Sequence, residues 1–164
     1  MSAATESSTA GDKLWAWVMT NMDTEITGTG MMNFGEEKSI VITKHMESRH
    51  ALPGDADLAD GLASFYLHEV IRDHDGKQVH EEKQVYHRGS DGALYTIGIC
   101  PDGSEIRAAT EVKDDGVYQY WGRMGTGKLW VDPEDASLLR FKLWMEDPAA
   151  PAVDCQYSGK AATA

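Results

Sequence analysis

Cysteine is nearly missing from this chain: Cys100 and Cys155 are the 2 in 164 residues. They form no Cys-x-x-Cys pair and no Cys/His ligand spacing, so neither a disulfide framework nor a cysteine-based metal site organises the fold, and both read as free thiols. Positive charge is also scarce. Lys and Arg total 15 against 27 Asp and Glu, a formal net charge of -12 that repels nucleic acid and anionic membrane surfaces alike. No stretch approaches the ~18 apolar residues of a membrane span. Residues 1–11, MSAATESSTAG, have neither the cationic start nor the apolar core of an export signal. The expectation is a cytoplasmic protein with disordered tails at 1–11 and 159–164 around one domain at 12–158, and no nucleic-acid or membrane partner.

Signatures of common chemistries are lacking too. There is no Gly-x-Ser-x-Gly elbow and no cysteine–histidine arrangement for covalent hydrolysis. Gly122-Arg123-Met124-Gly125-Thr126-Gly127-Lys128 lacks P-loop spacing and falls between strands, where glycines serve a turn or bulge. Asp73-x-Asp75-Gly76 has no third oxygen ligand and no closing glutamate for calcium. His80-x-Glu82 is a half-site without a partner histidine at strand spacing, so no metal and no cofactor are assigned.

What the chain has in quantity is turn chemistry. Asp-Gly occurs at 60–61, 75–76, 91–92, 102–103 and 115–116. Asp-Gly between alternating apolar stretches signals a hairpin, because both residues tolerate the positive φ of tight turns. Strands are expected at 24–32, bent by Gly28 and Gly30, then at 39–46, 64–73, 78–88, 93–99, 105–113, 117–123, 128–132 and 138–146, and Val153, Cys155 and Tyr157 alternate as a closing strand. Ahead of them, Asp12 can cap a short helix at 13–22 with Leu14, Trp17, Val18 and Met22 on one face, although 14–18 also suits a first strand. The fold class is all-β: one up-and-down antiparallel β-barrel of about eight to ten strands. Residues 49–61 form the longest interruption and are a candidate lid.

Register assigns the faces. With Asp75-Gly76 as a two-residue turn, Phe65, Leu67, Glu69 and Ile71 face Tyr86, Gln84, Glu82 and His80. This face is the better candidate for the interior; the alternatives are that the polar run at 77–84 extends past the barrel with both glutamates solvated, or that the face with Tyr66, His68, Val70, Val79 and Val85 is the core. The favoured face sets Glu69 across from Glu82 with His80 diagonal to them, and a desolvated pair of carboxyls tends to hold a proton between them. A hairpin at Asp115-Gly116 puts Val112 across from Gln119 and Thr110 across from Trp121, with Trp121 inward and Tyr118 and Tyr120 outward. Leu139, Phe141, Leu143 and Met145 alternate as core, leaving Trp144 to cover Lys142 or an oligomer contact such as a homodimer. His45, alternating with Val41 and Thr43, is expected to line the interior.

The strand meander behind Leu14-Trp15-Ala16-Trp17 resembles the lipocalin-like, or calycin, barrels over about residues 12–158. Gly11 precedes Trp15 by four residues where lipocalins have Gly-x-Trp, so no functional residue carries over. The resemblance implies a ligand-holding interior, in a class that includes carriers and cofactor-free decarboxylases, isomerases and cyclases. On this basis the chain reads as a small-molecule-binding barrel, foremost a cofactor-independent acid–base lyase, isomerase or cyclase for an apolar or aromatic substrate. Glu69, Glu82 and His80 would move the proton, and Phe65, Leu67, Tyr86, Trp121 and His45 would surround the substrate. The alternative is a non-catalytic carrier of an apolar ligand or haem, the haem held through His45. A third reading has the barrel filled by its own Trp and Met side chains, with Tyr118, Tyr120 and Trp144 outside as a partner surface.

Overall fold

The computed structural model describes residues 9–48, 64–88, 94–145 and 150–162; the candidate lid and the Asp-Gly pairs at 60–61 and 91–92 lie outside them. The chain begins with a helix, α1, Ala10–Thr20. Thr9 caps it: its hydroxyl accepts from the Asp12 amide, and the Asp12 carboxylate accepts from the Thr9 amide. This reciprocal box satisfies two otherwise unpaired donors, so Thr9 is the cap and Asp12 its partner. Leu14, Trp15, Trp17 and Val18 fall on the buried side, a spacing that suits a helix and denies a strand at 14–18. The Asn21 side chain closes the other end, donating to the Trp17 and Lys160 carbonyls and accepting from the Lys160 amide.

Ten strands follow: β1 Glu25–Asn33, β2 Glu37–Ser48, β3 Ser64–Asp73, β4 Gln78–Arg88, β5 Leu94–Ile99, β6 Glu105–Lys113, β7 Gly116–Tyr120, β8 Thr126–Val131, β9 Leu138–Trp144 and β10 Val153–Ser158. Each pairs antiparallel with the next, and β1 also pairs with β10, which closes the barrel. The result is an up-and-down barrel of calycin-like architecture. Closure leaves no sheet edge at the seam. α1 packs against β6, β7 and β8 at the end where β2 finishes and β3 begins. Among the described residues no helix is long and apolar enough to cross a membrane.

The seam depends on two glycines. A Cβ on Gly28 would lie 2.7 Å from the Tyr157 ring, and one on Gly30 would lie 2.5 Å from the Cys155 Cα. The register places Gly28 beside Tyr157 and Gly30 beside Cys155, so these are sites of close approach.

The turns explain the register. β3 and β4 pair as expected from Ser64↔His87 to Ile71↔His80, but Asp75-Gly76 is not a two-residue turn. The Asp73 amide donates to the Lys77 carbonyl, and Gly76 takes φ +80°. This makes a three-residue loop, and a bulge between Ile71 and Arg72 shifts the pairing by one and restores the register. At Asp115-Gly116 the strands pair Val112↔Val117 and Thr110↔Gln119. The two turn residues are Asp114 and Asp115, Gly116 belongs to β7, and Thr110 does not face Trp121. Because the error is two residues, the faces are unchanged.

Phe65, Leu67, Glu69, Ile71 and Tyr86 are buried, while Tyr66 is exposed on the outer face. On β2 the inward set is Ile40, Ile42, Lys44 and Met46, all buried, whereas Val41 is exposed. His45 therefore points outward, opposite His68, and does not line the interior. On β9 Leu139 is buried, but Met145 lies past the strand and is 43% exposed, so the core strand ends sooner than its alternation implied.

Gly30→Ala tests the seam. The added methyl meets backbone that cannot rotate away, and the expected cost is about 3 kcal/mol, a fall in Tm of roughly 6–12 °C for a domain this size. Thr29→Ala, whose side chain faces solvent, should leave Tm within about 2 °C. Equal Tm values for the two variants would contradict the close-packed seam.

Candidate functional site

Lys44 is the least expected residue of the interior. Its side chain is 3% exposed, and its ammonium lies 2.9 Å from the Glu69 carboxylate, itself 11% exposed. The two are register partners on β2 and β3, so the closeness is set by backbone pairing. The ammonium also lies 3.6 Å from the centre of the Tyr157 ring. That contact requires Gly28: with no Cβ there, the ring from β10 leans across β1 towards β2. A buried ion pair survives desolvation only with good geometry and further partners, and the ring face supplies one. Burial first, and the Glu69 charge next, push the Tyr157 hydroxyl well above the usual phenol range. Burial likewise pushes the neighbouring Cys155 thiol up to about 12, which leaves it protonated and unreactive.

Glu69 and Glu82 are cross-strand partners, as the register implied. Each has its own partners, Glu69 the Lys44 ammonium and Glu82 the side chains of His80 and Gln84. Glu82 accepts from Gln84 at 3.0 Å and lies 2.6 Å from the His80 ring nitrogen. Although burial opposes it, hydrogen bonding to His80 and Gln84 carries the Glu82 carboxyl below its usual range. The Glu82 hydrogen bond raises the His80 ring above its usual value, with burial opposing and the Glu69 and Glu81 charges assisting. His80 and Glu82 are partly exposed. β5 pairs with β4 only from Gln84 to Arg88, so this pair lies where β4 runs on beyond β5.

Above the ion pair the interior turns apolar. Phe65 and Tyr86 stack with centroids 4.9 Å apart, and Trp15 of α1 tilts over Phe65 at 5.8 Å. The Tyr86 hydroxyl accepts from the Gln119 amide, which also donates to Thr96. Burial is the main reason the Tyr86 hydroxyl is raised above the usual phenol value. Between α1 and these rings lies a cavity of about 20 Å³. Leu14, Trp15 and Val18 form its roof, and Lys44, Phe65 and Tyr86 are among its walls. As it stands it has room for about one water.

Of the residues expected around a substrate, Phe65, Leu67 and Tyr86 line this cavity. His45 is on the outside, and Trp121 sits half-buried past the end of β7, its ring about 3.5 Å from where a Gly98 Cβ would be. Glu69, Glu82 and His80 do not line it, although Glu69 holds the Lys44 that does. Sequence reasoning missed Lys44, Tyr157 and Gln119. A signal for Lys44 was present: a glutamate on an apolar face needs a cation, and Lys44 shares its alternation with Ile40, Ile42 and Met46. Among the described residues no group of three or more His, Cys, Asp or Glu could hold a metal ion.

Two measurements test this geometry. Glu69→Leu should cost about 3–5 kcal/mol by leaving the Lys44 ammonium buried and unpaired, while Lys44→Met/Glu69→Leu should recover most of that loss; additive losses would show that the two do not interact. For His80, the raised pKa means its contribution is complete below its unfolded value near 6.5 and is lost as pH rises through the folded value. For Glu82 the lowered pKa means a contribution present above its unfolded value near 4.5 and lost as pH falls through the folded value. The Tm difference between wild type and His80→Ala should therefore peak at about pH 4.5–6.5 and shrink above it; a difference independent of pH would refute the pairing.

No family model matches the chain, and neither a curated protein nor a solved structure matches it.

Proposed function

We propose that the barrel binds a small apolar or aromatic molecule bearing one polar group, in the manner of a lipocalin-like carrier, with its apolar body under α1 and its polar end towards Lys44. One observation carries this reading: an otherwise apolar cavity has a single ammonium in its wall and one helix as its roof. A drug-sized ligand needs ~300 Å³ or more, so occupancy requires the inward side chains of α1 to withdraw. α1 is held by the buried packing of Leu14, Trp15, Trp17 and Val18 and by a few polar ties: Arg88 to Asp12 at 3.3 Å, the Trp17 indole to the Ser137 carbonyl at 3.1 Å, and the Asn21 clamp on Lys160. Opening would expose that apolar face while the ten hydrogen-bonded strands stay paired.

Carriage is favoured over acid–base catalysis because Glu69 is paired with Lys44, and Glu82, held low by its hydrogen bonds, is not among the residues lining the cavity. The enzyme reading rests on the partly exposed His80–Glu82 pair, which presents an acid and a base 2.6 Å apart. Its substrate would have to approach from the end opposite α1.

Hexan-1-ol titrated into the full chain tests the proposal. Ligand at about 100 times its Kd should stabilise the fold by ~2.7 kcal/mol. Leu139→Trp, which fills the cavity, should abolish the Tm increase. An unchanged Tm in the wild type, or the same increase in the variant, would sink the proposal.

A further inference from the structure

We propose that Lys44 is a covalent attachment point for an apolar aldehyde, which it would hold as a protonated imine. The inference rests on the binding reading above and adds the ligand's functional group.

Three features converge on Lys44. It is the one amine among the cavity-lining residues, and its side chain is 3% exposed, against 17% for Lys128 and 35% for Lys142. Its only ion-pair partner among the described residues is Glu69, at 2.9 Å, a carboxylate placed to accept its proton. The surroundings are largely apolar and aromatic, with Met46, Phe65, Leu67 and Tyr86 around the cavity. Such walls exclude the water that would hydrolyse an imine and suit the apolar body of an aldehyde. The other buried nucleophile nearby, Cys155, is a protonated thiol and is not among the cavity-lining residues.

The chemistry balances with groups already present. Glu69 takes a proton from the Lys44 ammonium, and the free amine attacks the carbonyl carbon. A C–N bond forms as the carbonyl π bond opens onto oxygen, which recovers the proton from Glu69 to give a carbinolamine. The nitrogen lone pair then expels that hydroxyl as water, with a proton supplied through Glu69 from the same nitrogen. A second proton stays on nitrogen, so the product is an iminium and one water. The sum is aldehyde plus ammonium giving iminium plus water, with charge conserved and no oxidant or reductant. Glu69 returns as the carboxylate facing the new cation, and the Tyr157 ring, 3.6 Å from the ammonium, faces a cation throughout.

Hexanal incubated with the full chain and trapped with sodium cyanoborohydride tests the proposal, with peptide mass mapping to locate the hexyl group. Lys44 should carry it at least about tenfold more often than any exposed lysine. Lys44→Arg keeps a cation against Glu69 and should lose the adduct. Labelling spread evenly over Lys77, Lys83 and Lys44, or an equally labelled Lys44→Arg protein, would overturn it. Hexan-1-ol cannot condense with an amine and separates the two readings: alcohol binding without a Lys44 adduct refutes the covalent inference alone, whereas loss of both refutes the binding reading as well.

Discussion

A charge buried in a barrel wall has to be neutralised where it stands, because burial strips most of the water that would otherwise stabilise it. Lys44 and Glu69 meet that condition through their register partnership on adjacent strands. In a low-dielectric interior the attraction offsets desolvation only at short range and with further support. Much of the surrounding packing provides that support. Gly28 gives up its side chain so that the Tyr157 ring can reach the ammonium, and Gly30 lets β10 come close enough to close the barrel. The seam and the ion pair are thus one arrangement, so a change at either is felt at the other.

The rest of the interior is filled in the same way, with rings folded over glycines. A Cβ on Gly127 would come within 3.1 Å of the Phe141 ring and 3.2 Å of the Gln119 carbonyl oxygen. Gln119 in turn bonds Tyr86 and Thr96. The cavity under α1 is about 20 Å³. The polar groups run across the strands, with Lys44, Glu69 and Glu82 as successive register partners on β2, β3 and β4. Lys44 lines the cavity under α1, while His80 and Glu82 lie on the part of β4 that extends past β5.

How much of this was legible in the sequence follows from the strength of the local signals. The Asp-Gly pairs and alternating segments were strong enough to delimit β3, β4 and β6 at their observed ends. The hairpin at Asp75-Gly76 came out in register for an instructive reason: a turn one residue longer than expected is offset by a bulge one residue wide. At Asp115-Gly116 no bulge intervenes, and the two-residue displacement changed partners but not faces. Turn type is decided by backbone hydrogen bonds that the dipeptide alone does not specify.

The interior charge was harder to read. On β2 the sequence was read with His45, Val41 and Thr43 inward, whereas the buried set is Ile40, Ile42, Lys44 and Met46. Only the demand of Glu69 for a partner decides between them, and that partner lies on a different strand across a long connection. Tyr157 is illegible for the same reason, because its role depends on barrel closure. The measurement closest to the central claim is hydrogen exchange of the Lys44 ammonium, followed by NMR of its side-chain nitrogen. A buried, carboxylate-bound ammonium predicts a visible signal exchanging at least about tenfold more slowly than that of an exposed lysine such as Lys77, and slow exchange lost in Glu69→Gln. A Lys44 signal exchanging as fast as that of Lys77 would contradict it.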